Sequence, residues 1–205
     1  MRDALRAGIA IYNDGHHHAA HDAWEARWLE LEADTDDERL LHGLIQFTAA
    51  VYHANRRNWE GSTGLAESAG TYLGPLSPAY RGVNVAPVRD FLETLATDPA
   101  VIERRPPLAL THEGTVLRLA DLTPGEIFIA AGVLAEELGE DEAMIDRAIA
   151  FAREDLTERD SSRLLALLVD FTTDADNRRL IVDRLEAHVD RRQQRREDVD
   201  GLFEP

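Results

Sequence analysis

Cysteine is missing from all 205 residues, which excludes disulfides, thiolate metal sites and a cysteine nucleophile together. Lysine is missing too, so every one of the 22 basic residues is an arginine. The longest purely apolar run, Ile127 to Ala135, is far shorter than a bilayer crossing requires and predicts no membrane partner. Arg2 is followed at once by Asp3, and Asn13 and Asp14 break the apolar stretch that comes next, which argues against a signal peptide and for a cytoplasmic protein. There is no Gly-x-Ser-x-Gly elbow, no Walker loop, no dinucleotide fingerprint and no His-Glu-x-x-His pair.

What is abundant is negative charge: 39 acidic residues set against those arginines give a formal net charge of -17. Self-repulsion of that size is tolerable where concentrated salt shortens the screening length to a few ångströms, which points to a salt-accumulating cell. The acids are spread along the chain and form no tail, as a halophilic surface requires. The same field repels phosphate backbones, so nucleic acid is not an expected partner. Against the trend, Arg191, Arg192, Arg195 and Arg196 lie close together, but Glu186, Asp190, Glu197 and Asp198 flank them, the usual composition of a solvated helix face.

Periodicity predicts a mainly α protein: an N-terminal helical bundle, then a C-terminal helical region preceded by a short β-hairpin. Helices are expected over 3–12, with a left-handed stop at Gly15, over 17–31 with His17, His21, Trp24, Trp28 and Leu31 facing inward, and over 36–57 behind a Thr35 or Asp36 cap. Further helices are read over 62–73 and 87–95. Asp98-Pro99 and Pro106-Pro107 mark a boundary between domains 1–98 and 99–205. Within the second, residues 108–122 read as a hairpin turning at Glu113-Gly114, with Leu110 opposite Leu117 and Leu108 opposite Leu119. About four helices follow, over 124–138, 141–156, 159–171 and 174–196. His112 and His188 stand alone and read as surface residues.

The densest polar cluster lies near the N-terminus. His16, His17, His18, His21, Asp22 and Glu25 hold half of the eight histidines, and on a helix His17, His21 and Glu25 stack at i, i+4 and i+8. Imidazole and carboxylate are ligands that a divalent zinc, iron, nickel or manganese ion accepts. His21, Glu25 and His53 are the candidate ligands, His17 a weaker one, and Gln46, Trp28 and Trp24 the neighbours that would orient them. Two readings follow. In one, the cluster is structural and the protein is a non-catalytic binding or interaction module, its helical faces meeting a protein partner or a second copy. In the other, it serves a metal-assisted or acid–base, hydrolase-like enzyme acting on a small polar molecule, with His21, Asp22, Glu25 and His53 as the catalytic candidates.

The order Tyr12-Asn-Asp-Gly15, His21-Asp22-Ala-Trp-Glu25-Ala-Arg-Trp28, Gly43-Leu-Ile-Gln46, Tyr52-His53 and Asn58, with Gly61 and Leu73 beyond, resembles the family called domain of unknown function 309. That resemblance covers about residues 5 to 75 and nothing after about residue 98. It implies a compact helical bundle in which His21, Asp22, Glu25, Gln46 and His53 occupy the motif's polar positions. Asp22 departs from the pattern, where Glu is usual; the charge is kept and the reach is shortened. The family's name leaves the activity open.

Overall fold

A computed structural model describes residues 1–200, and side chains as far as Asp198. Residues 201–205, the end of the expected second domain, lie outside the described residues. The described chain is mainly helical, with nine α-helices and a two-stranded hairpin that precedes the C-terminal helices. Among the described residues no helix is long and apolar enough to cross a membrane. The described residues divide by packing into two compact units, residues 1–133 and those from 134 onward.

In the first unit α1 (Arg2–Asn13), α2 (His17–Trp28), α3 (Asp36–Asn55), α4 (Trp59–Leu73) and α5 (Val85–Thr97) pack in sequence order, α3 against both α2 and α4. Leu5, Ile9, Trp24, Leu40, Leu44, Phe47, Leu73 and Leu92 form the wholly buried centre. The connections follow local chemistry. Gly15 takes φ 94° after α1, a conformation that costs a residue with a Cβ. Thr35 caps α3 by accepting from the Glu38 amide, and Asn58 caps α4 by accepting from the Gly61 amide, which starts that helix at Trp59 rather than at residue 62.

The inward face of α2 differs from the one read from its large residues. Ala19, Ala20, Ala23 and Trp24 are buried, whereas His21, Glu25 and Trp28 sit half-buried at the edge, and the helix stops before Leu31. Small side chains explain this: alanines let α2 lie close on its neighbours, and Gly8 of α1 opens the space that the Trp24 indole fills. A Cβ on residue 8 would fall on the indole ring.

The hairpin keeps the expected register, Thr111 opposite Val116 and His112 opposite Thr115, which places Leu110 against Leu117. Glu113 and Gly114, at φ 52° and 79°, make its turn. Its ladder is only β1 (Thr111–His112) and β2 (Thr115–Val116). The reason lies in α1: the Asn13 amide donates to both Leu110 O (2.8 Å) and Leu117 O (2.9 Å) and accepts from Leu110 N (2.9 Å), taking the groups that would have paired the strands. The Tyr12 hydroxyl donates to Leu108 O at 2.9 Å. Arg6 donates to Glu126 at 2.6 Å, both largely buried, and reaches His112 Nδ1 at 3.2 Å. His112 is therefore a buried residue, 5% exposed, and not the surface residue its isolation suggested.

In the second unit α7 (Glu142–Glu158), α8 (Arg163–Thr173) and α9 (Arg178–Asp200) pack on one another around Ile145, Ala148, Leu167, Leu168, Phe171 and Leu185, while α6 (Pro124–Leu138) spans the division between units. Asp141 and Ser162 cap α7 and α8 by accepting from the Met144 and Leu165 amides.

Gly8→Ala tests the close approach of α1 and α2. Overpacking against a ring with no room to turn is expected to cost about 1–3 kcal/mol in denaturant unfolding followed by tryptophan fluorescence, whereas an unchanged midpoint would show that the notch is not tight.

Candidate functional site

Trp24 decides which way the polar side chains of α2 face. With its indole wholly buried and donating to Leu5 O at 3.3 Å, the helix cannot roll, and His18, His21, Asp22 and Glu25 are left on the half-exposed side. His21, Asp22 and Glu25 each offer one ligand atom within 4.8 Å of the others, a group that could hold a metal ion. His21 Nδ1 lies 2.9 Å from one Asp22 oxygen, and His18 Nδ1 lies 3.1 Å from the other. A carboxylate can only accept, so Nδ1 of each ring carries the proton. Nε2 of His21 is then the nitrogen left for a ligand. Asp22, held from both sides, fixes the ring as an outer carboxylate does for a metal-bound histidine.

The electrostatics agree with that geometry. The hydrogen bond that His21 donates to Asp22 raises the His21 pKa above its ordinary value, outweighing burial, and the charges of Asp22 and Glu25 add to the rise. For Asp22 burial acts upward, but the bonds and charges of His21 and His18 hold its carboxyl below its ordinary range.

The remaining polar positions form two separate groups. Across α2 and α3, Trp28 Nε1 donates to Glu38 Oε1 at 2.8 Å, and His42 Nδ1 donates to the same oxygen at 3.2 Å. His42 Nε2 accepts from the Gln46 amide at 3.0 Å. The His42 ring stacks on Tyr72 of α4, with centroids 3.8 Å apart, and lies 4.6 Å from the Trp28 ring. Of these hydrogen bonds Trp28–Glu38 joins α2 to α3 and the other two run along α3, while the stacked His42 and Tyr72 rings make the contact to α4. Gln46 is thus a partner of His42, and its Oε1 is buried without a partner. Glu38, which sequence reasoning did not single out, is the hub; its position four residues before His42 is the signal that could have found it.

His53 stands in the third group, outside the trio on α2. After α3 ends, Arg57 at φ 58° turns the chain so that Asn58 comes back over the helix end. Asn58 Oδ1 accepts from Gly61 N, so its NH2 faces His53 Nδ1, at 2.8 Å. That nitrogen must be the bare one, and the proton sits on Nε2. His17 lies edge-on to Tyr12, with centroids 5.2 Å apart, and lines a cavity of about 260 Å³ with Asn13, Asn55 and Pro106 to Ala109.

The His21–Asp22 pair has a defined pH window. A raised histidine pKa contributes stability fully below its ordinary 6.5 and loses it as pH rises through the folded value. A lowered aspartate pKa contributes above its ordinary 3.8 and loses it as pH falls through the folded value. The stability difference between wild type and Asp22→Asn is therefore expected to be greatest between those two values and to shrink in alkaline buffer. A difference flat across pH would show that the pair carries no charge interaction.

A comparison with curated proteins finds no match to this chain. The model of one family matches residues 5–65, a stretch that contains Asn13, His21, Asp22, Glu25, Trp28, Gln46 and His53 and stops short of Leu73. That family is described as a domain of unknown function, DUF309, and residues 5–65, in the N-terminal part of the chain, are what is similar to it.

Proposed function

We propose that the N-terminal unit is a non-catalytic binding module that takes one divalent transition-metal ion on α2. His21 Nε2 and the Glu25 carboxylate would be its ligands, and Asp22 the group that aims His21. The observation that carries this reading is the approach of His21, Asp22 and Glu25 to within 4.8 Å on a helix whose roll is fixed by a buried tryptophan. Imidazole nitrogen with carboxylate oxygen suits zinc, nickel, manganese or iron. Two further facts favour binding over catalysis. The Glu38–His42–Gln46 line is engaged in packing, and the His53 tautomer that Asn58 selects leaves no bare Nε2 for a shared metal. The acidic surface suits the cytoplasm of a salt-accumulating cell, where protein partners or a second copy are more compatible than nucleic acid.

A second reading, a metal-assisted or acid–base enzyme for a small polar substrate, draws on one feature. Ligands from a single helix leave coordination positions open, as catalytic metal sites do.

Protein purified without a histidine tag and titrated with zinc by calorimetry in concentrated potassium chloride separates the two. Stoichiometric binding is expected in wild type, lost in His21→Ala, weakened about tenfold or more in Glu25→Gln, and unchanged in His53→Ala. Binding that also disappears in His53→Ala would support the enzyme reading, whereas a wild type that binds no zinc, or a His21→Ala variant that binds as wild type does, would sink the proposed site.

A further inference from the structure

The second unit carries a feature at odds with a chain of net charge -17. Between the end of α7, the start of α8 and one face of α9 lies a cavity of about 270 Å³. Five arginines line it, Arg159, Arg163, Arg191, Arg192 and Arg195, together with His188 and against two carboxylates, Asp155 and Glu158. Positions 188, 191, 192 and 195 of α9 follow the helical repeat, so one face of that helix is turned to the cavity.

These arginines are not equivalent. Arg192 is spent inside the fold: it donates to Asp155 at 2.5 Å and to Glu154 at 3.0 Å and lies over the Phe151 ring, 4.7 Å from its centroid. Arg196 lies over the same ring and pairs with Glu154. Asp155 is likewise engaged, accepting from the Ser162 hydroxyl at 2.7 Å as well as from Arg192. Among the described residues Arg159, Arg163, Arg191 and Arg195 form no salt bridge, which leaves Glu158 as the remaining internal counter-charge on the lining. Burial, and after it the charges of Arg191 and Arg163, push the His188 pKa down, in keeping with guanidinium groups of α8 and α9 converging there.

We propose that this arginine-lined cavity binds a small anion bearing one or more phosphate groups. Guanidinium forks match phosphate oxygens two at a time. Several unpaired cations in one concavity call for an anion of charge about −2 or more, as a phosphate ester carries at neutral pH and a single carboxylate does not. The volume lies just below the roughly 300–1,000 Å³ range of small-molecule sites, enough for a small phosphorylated molecule and small for a macromolecular ligand. The strong negative charge of the rest of the chain opposes a nucleic-acid strand. The site lies within residues 155–195 and does not depend on the metal reading of the N-terminal unit.

The experiment is calorimetric titration of the full chain with inorganic phosphate, pyrophosphate, glycerol phosphate and a single-stranded oligonucleotide, each at matched ionic strength in potassium chloride. Saturable binding of at least one of the three small anions is expected, weakened about tenfold or more in Arg163→Gln/Arg195→Gln and unchanged in Arg147→Gln, a substitution at an exposed position of α7 away from the lining. Phosphate binding as tightly as the ester assigns the free anion as ligand; a tighter ester assigns a phosphorylated molecule. Should the double variant lose its circular-dichroism signal, Arg195→Gln alone, at an exposed position, must weaken binding. No saturable binding of any small anion, binding of the oligonucleotide alone, or equal binding by wild type and the cavity variants would overturn the site.

Discussion

The indole of Trp24, seated in the notch left by Gly8 and bonded to a carbonyl of α1, is the contact on which the N-terminal unit turns. A buried aromatic ring that fills such a space leaves α2 one rotational setting, because close-packed interiors have few alternatives of equal volume. That setting sends Ala19, Ala20 and Ala23 inward with the tryptophan, and puts His21, Asp22 and Glu25 at the margin, where imidazole and carboxylate keep contact with water. The chemistry of the site is thus a consequence of packing on the opposite side of the same helix.

Polar groups around this core have two different uses. Glu38, His42 and Gln46 form a hydrogen-bonded line along α3 that Trp28 joins from α2 and the stacked ring of Tyr72 joins from α4. A network of that kind rewards a single arrangement of α2, α3 and α4, since removing one member strands the others. Among the described residues the hydrogen bonds of the His18–Asp22–His21 array stay on α2, and they engage Nδ1 of His21, not Nε2. The first group holds the helices together, and the second is the part of the motif that we propose for a ligand. Beyond the matched family segment the same economy recurs: Tyr12 and Asn13, inside it, hold the backbone of the hairpin that follows residue 107.

Much of this was legible in the sequence, and the failures have physical causes. The hairpin register could be read because leucines paired across a Glu-Gly turn allow only one alignment, but its short ladder could not, since the competing amide belongs to Asn13, about a hundred residues away. The inward face of α2 was misread because periodicity was judged on large side chains, whereas three alanines and a glycine on another helix decided the approach. His53 looked like a companion of His21 on a neighbouring helix. What sets its ring is Asn58, carried back by a left-handed residue that no periodicity announces. The arginines of α9 read as a solvated face, and Arg191, Arg195 and Arg196 are exposed; what sequence neighbours could not show is that Arg163 stands beside them in space and that Arg192 and Arg196 turn to Phe151.

The central claim is that Trp24 fixes α2 so that His21 presents Nε2 to a cation while Asp22 holds Nδ1. Long-range proton–nitrogen NMR of the imidazole rings, recorded before and after one equivalent of zinc, addresses it most directly. The account predicts a proton on Nδ1 of His21, a large zinc-induced shift confined to its Nε2, and unmoved nitrogens in His42 and His53. Zinc shifting Nδ1 of His21, or moving His53 in step with it, would contradict the account.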